Sequence, residues 1–129
     1  MSAYENSDVT ISNPLPVPVT IPPQFATRSD TFTTTDVGTT VDASTFIARS
    51  YAIQVKGTGA PATSWTVQLE VSLDNVNFTS VMIHTNNVGD GMILLSGANF
   101  YPAAYFHVHV SSLVLGPATN IVTNIVGKG

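Results

Sequence analysis

Residues Ser64–Leu73 read SWTVQLEVSL, and they restrict the fold more than any other stretch. Trp65, Val67, Leu69, Val71 and Leu73 share one parity, and Thr66, Gln68, Glu70 and Ser72 share the other. Successive side chains of a strand point to opposite faces, so this alternation describes a strand with one buried and one solvated side. Antiparallel sheets carry strands of that kind. The same parity argument predicts a strand over Phe46–Lys56, with Tyr51, Ile53 and Val55 opposite Ala52, Gln54 and Lys56. It predicts another over Ala104–Val110, with Phe106, Val108 and Val110 opposite Tyr105, His107 and His109. Phe78–His84 returns antiparallel after the turn DNVN, and Met92–Leu95 is a short strand. GTGAP, NNVGDG and GPAT are further turns, rich in the residues that tolerate tight backbone geometry. No stretch has helical periodicity and no internal repeat is present. Six to eight short strands predict an all-β, antiparallel β-sandwich, of jelly-roll or immunoglobulin-like order.

Residues Asn13–Pro23, NPLPVPVTIPP, break this pattern. They hold five of the eight prolines. Proline fixes φ and biases its predecessor toward extended geometry, so the segment is stiff without hydrogen bonds. Leu15, Val17, Val19 and Ile21 recur at every second position, the period of a strand rather than of polyproline II. Burying each such side chain is worth about 1.5–3 kcal/mol. The segment is therefore expected to be an arm that docks on a neighbouring subunit, the alternatives being an edge strand on its own domain or a disordered leader; residues 1–29 form the arm and residues 30–129 the sandwich. Asn120–Val126 is apolar on both faces, with Ile121 and Ile125 on one and Val122 and Val126 on the other. Such a strand is covered on both sides, by the core and by a second body. Leu15, Val17, Val19, Ile21, Val122 and Val126 are the expected partner-binding residues.

Charge limits the function classes. The chain has four Lys and Arg, eight Asp and Glu, and a net charge of -4. Arg28, Arg49, Lys56 and Lys128 are too dispersed to track a phosphate backbone, so no nucleic-acid partner is expected. Between Asp90 and Lys128 no charged residue occurs. That tract presents Ser, Thr, Asn and apolar groups, or is covered by a partner. There is no cysteine, hence no disulfide framework or thiolate metal site. No signal peptide and no membrane-spanning segment is apparent, and no membrane partner is expected.

Few residues suggest chemistry. His107 and His109 share a strand face and could reach one metal ion, but no carboxylate neighbours them in sequence, and two outward-facing polar side chains explain them as well. His84 with Asp90 lacks a nucleophile in an elbow context. Asp74, Asn75 and Asn77, like Asn86, Asn87 and Asp90, offer one carboxylate per cluster, which suits turns better than calcium. Glu70 is expected on the solvated face of its strand. Trp65 has core parity rather than that of a sugar platform. No enzyme activity and no cofactor is expected.

The stretch SYAIQVKGTGAPATSWTVQLEVSLDNVNFTSV, Ser50–Val81, resembles a β-sandwich module common in virion proteins of tailed bacteriophages. The strand AYFHVHVSSL and the GPAT turn fit it too, so the resemblance spans roughly Thr31–Gly127. The S-x-D-x-x-x-F run is also similar to a hairpin of discoidin-like carbohydrate-binding jelly rolls, although Phe78 stands in place of that family's Trp. What the resemblance implies is an assembly role. It implies a capsid decoration (cement) protein located in the virion and assembled in the host cytoplasm. Such a protein would be a homo-oligomer, with a trimer favoured, whose arm staples neighbouring major capsid subunits. The alternatives are a neck, tail-tip or head-fibre component, or a carbohydrate-binding module for host recognition with Tyr101 and Tyr105 as contact aromatics beside Phe100.

Overall fold

The computed structural model describes residues 24–86, 89–95 and 102–129. Among them the chain forms β1 (Phe25–Phe32), β2 (Asp36–Val37), β3 (Val41–Asp42), β4 (Ser50–Gly57), β5 (Ser64–Ser72), β6 (Thr79–Asn86), β7 (Gly91–Leu95), β8 (Tyr105–Val114) and β9 (Ile121–Lys128). Among the described residues no helix is long and apolar enough to cross a membrane.

The pairings are nested. β1 pairs with β9, β2 and β3 with β8, β4 with β7, and β5 with β6, all antiparallel. The chain is thus one long hairpin ribbon whose tip is the β5–β6 turn. Two further pairings, β4 with β9 and β5 with β8, roll the ribbon into two sheets. One sheet has the order β1-β9-β4-β7, the other β2-β8-β5-β6 with β3 also against β8. An immunoglobulin-like sandwich places its first and last strands in different sheets. Here they are neighbours, and the rolled ribbon is a jelly roll.

Parity built the core as expected. Trp65, Val67 and Leu69 of β5 face Tyr51, Ile53 and Val55 of β4, with Phe106, Val108 and Val110 of β8 and Ile121 and Ile125 of β9 completing the layer. Tyr51 meets Phe106 edge to face at 5.2 Å, and its hydroxyl donates to the Ala48 carbonyl. Burial pushes the Tyr51 phenol up to about 12. Trp65 is 1% exposed, and its Nε1–H donates to the Gly89 carbonyl at 2.7 Å. A buried indole needs such a partner.

Four expectations need correction. Leu73 does not continue the buried face: it is 71% exposed. The strand ends at Ser72, which is buried, and its hydroxyl donates to the Asp74 carboxylate and accepts from the amide of Asn75. The strand expected from Phe46 begins only at Ser50. The amides of Phe46 and Ile47 both bond the Ala43 carbonyl in a tight turn, and Ile47 has φ 58°. Residues 25–29, assigned to the arm, form the first half of β1, because Phe25–Phe32 finds a full ladder against β9. His107 does not face solvent but is buried.

Candidate functional site

The outer face of the β5–β8 sheet holds the one cluster of interacting titratable side chains that strand pairing creates there. Glu70 of β5 sits directly opposite His107 of β8, and Gln68 opposite His109. The Glu70 carboxylate lies between two imidazoles: Oε1 is 2.7 Å from His107 Nε2, and Oε2 is 3.0 Å from His109 Nδ1. A carboxylate only accepts, so both facing nitrogens carry protons. That fixes His107 as the Nε2–H form when neutral, and His109 as Nδ1–H. The far nitrogen of His107 lies 3.5 Å from Thr40 Oγ1, and Phe78 stacks on the ring at 4.3 Å.

Burial raises the Glu70 carboxyl. The hydrogen bonds from His107 and His109 and their charge together outweigh that, and the net shift is downward. The cluster ties β5, β8 and the β2–β3 connection together. Among the described residues no group of three or more His, Cys, Asp or Glu is placed to hold a metal ion. The two imidazoles are arranged as donors to one carboxylate. Sequence reading missed Glu70 because its partners are 37 and 39 residues away, and only the β5–β8 register brings them together.

The second candidate is the outer face of β1, β9 and β4. Register places Thr27 and Ala52 beside Val126, Ser29 and Gln54 beside Asn124, and Thr31 and Lys56 beside Val122. Lys56 and Lys128 are the only charged residues in the outward positions of these three strands, at opposite ends of the face. Val122 and Val126 point outward and are half-buried, and Phe25 is exposed at the start of β1. A shallow depression of about 210 Å³ is lined by Thr27, Ala52, Gln54, Asn124, Ile125 and Val126. The other expected contact residues, Leu15, Val17, Val19 and Ile21, lie outside the described residues, as do Phe100 and Tyr101. Tyr105 is half-buried opposite Asp42 and Ser72.

The remaining candidates have structural work. Asp74 accepts from the Ser72 hydroxyl, the amides of Val76 and Asn77, and the Asn77 side chain. The bonds from Asn77 and Val76, then the Asn77 side chain and Ser72, hold its carboxyl far below the usual range. Asn75 takes the left-handed conformation, with φ 63°, that this turn demands. Asp90 accepts from the Gly57 amide at 2.8 Å and lies 4.0 Å from Lys56 Nζ. His84 instead lies against the Trp65 ring at 5.8 Å.

No family model matches this chain, and no curated protein matches it. Among solved structures it is similar to the crystal structure of SPBc2 prophage-derived protein YomS, with a TM-score of 0.53 and 13% identity, over 88% of this chain and 100% of that one. It is also similar to the crystal structure of PirA, with a TM-score of 0.41 and 7% identity, over 85% of this chain and 97% of that one. The second likeness is too distant to argue from. The first is a likeness of fold: this chain and the whole of YomS share one sandwich architecture.

Proposed function

We propose that this protein is a structural component of a bacteriophage virion, and within it a capsid decoration protein. The outer face of β1, β9 and β4 seats on the head surface. The arm, residues 13–24, reaches from that seat toward the neighbouring position and so holds adjacent capsid subunits together. The observation that carries this reading is the face itself. It is almost free of charge, carries Val122 and Val126 at its centre, and belongs to a strand paired on both sides. A monomer with a solvated outer face would place charged side chains there. The resemblance of Ser50–Val81 to virion modules supports the reading, as does the fold shared with a prophage-derived protein. A head offers many equivalent seats, so modest contacts add up.

The test is co-sedimentation with expanded phage heads stripped of decoration. The full chain is expected to saturate at a fixed number of copies per head. The double variant Val122→Lys and Val126→Lys is expected to melt like the parent and to stay in the supernatant. Equal sedimentation of parent and variant would sink the proposed seat. Absence of saturable binding by the parent would sink the decoration reading.

A further inference from the structure

The arm and the far side of the sandwich fit each other. A strand presents the backbone groups of residues i and i+2 on the same edge, with their side chains on the same face. In NPLPVPVTIPP, Pro14, Pro16, Pro18 and Pro22 all have even numbers, and Leu15, Val17, Val19 and Ile21 are odd. Extended, this segment lacks amide donors at four positions of one edge, whereas every odd residue from 15 to 21 keeps its N–H on the other. Proline is tolerated in sheets where its missing N–H faces solvent. As a strand the segment would therefore be one-sided, able to extend a sheet by one place and unable to template the next.

Among the described residues its own domain offers no suitable edge. Folding back on β1 would make Pro22–Gln24 a hairpin loop. Two-residue hairpin turns need φ above zero, which proline cannot adopt, and proline is disfavoured at the second central position of a type I turn. β2 and β3 offer two residues each, interrupted by a loop that Asp30 ties down through Thr39. β6 and β7 lie at the other side of the sandwich. With strands about 4.8 Å apart and sheets about 10 Å apart, a strand added beyond β6 lies roughly 20 Å from β1. The four-residue step from Ile21 to Phe25 spans at most about 14 Å.

We infer that the arm of one copy adds as an outer strand to β6 of a second copy. Among the described strands β6 pairs only with β5. It runs for eight residues and contains no Lys, Arg, Asp or Glu. A bulge at Val81 interrupts its ladder, and from Met82 onward the register is regular. Ile83, 63% exposed, stands on its outer side. An edge of this kind is a template for an incoming strand. The arm segment is also uncharged, so neither surface repels the other. This rests on the decoration reading only for its setting: exchange between copies would lace neighbouring seats together on the head.

The test uses proline parity. Full-length protein, Val17→Pro and Thr20→Pro are compared by light-scattering mass in solution. Val17→Pro deletes a donor from the pairing edge, and Thr20→Pro deletes one from the solvent edge. The full chain and Thr20→Pro are expected to be oligomers, and Val17→Pro a monomer with unchanged circular dichroism. Because the chain has no cysteine, mixing Thr20→Cys with Ile83→Cys protein and adding a thiol cross-linker reports the landing site. Links joining the two different variants are expected. A monomeric parent, equal effects of the two prolines, or no mixed cross-link would each overturn the inference. Head binding by a monomeric parent would overturn this inference and leave the decoration reading standing.

Discussion

Thr123 offers the sharpest stability test. It points into the core from β9, between Ile121 and Ile125 and opposite Val55 of β4. It is 1% exposed, and its hydroxyl has no hydrogen-bond partner. Val has the same shape, so Thr123→Val exchanges an unsatisfied hydroxyl for a methyl without a new clash. A buried unsatisfied polar group costs about 1–3 kcal/mol, and the methyl adds favourable burial of about 0.8 kcal/mol. Allowing for partial relaxation around the native hydroxyl, the variant is expected to be more stable by about 1–2 kcal/mol. Unfolding entropy of about 2.1 cal/mol/K per residue converts this into a rise of roughly 4–9 °C in Tm for a domain of this size. Urea melts at fixed protein concentration would show a higher midpoint with an unchanged m-value. Thr123→Ser, which keeps the hydroxyl and removes the methyl, is expected to be less stable than the parent. If Thr123→Val lowers Tm, the hydroxyl is bonded in solution and the argument fails.

Three further outcomes follow from the same geometry. The carboxyls of Glu70 and Asp74 are depressed in the folded state. Their contribution is therefore complete above the unfolded values of about 4, and it is lost as pH falls below them. Tm should hold from neutral pH to about 5 and then fall, and Glu70→Gln should flatten part of that fall; an unchanged slope would remove Glu70 from the explanation. Trp65→Phe loses the bond to the Gly89 carbonyl and leaves a void, with an expected cost of about 2–4 kcal/mol in urea unfolding. A Cβ on Gly127 would press into the Phe106 ring and sit 3.2 Å from the Ala48 methyl, so Gly127→Ala should lower stability by about 1–3 kcal/mol in the same assay.

Period-two patterning was the legible part of this sequence. It located β5, the buried halves of β4 and β8, and the buried Ile121–Ile125 parity of β9, because each of those strands buries one parity for most of its length. It failed where a local hydrogen bond overrode parity. The Ser72–Asp74 turn ends the strand and buries Ser72, which leaves Leu73 outside. β1 was hidden because its odd positions face outward as Phe, Thr and Ser while Arg28 and Asp30 occupy the even ones, so alternation is blurred. The strand order was illegible because nested pairing joins residues a hundred positions apart, such as Phe25 with Lys128. The Glu70 cluster was illegible for the same reason. A carboxylate acquires its neighbours from register, and register is not written beside it.

The place of β9 has a consequence for how the protein is made. β9 is synthesised after the eight other described strands, yet it lies between β1 and β4 and pairs with both along eight residues each. A nascent chain that has not reached Ile121 holds a sheet with its middle missing, and long-range pairing of this kind is slow. Prematurely ended chains are thereby kept from presenting the outer face at all. On the proposed reading, only a chain translated through β9 offers that face to a partner, so synthesis itself would screen the parts before they are used.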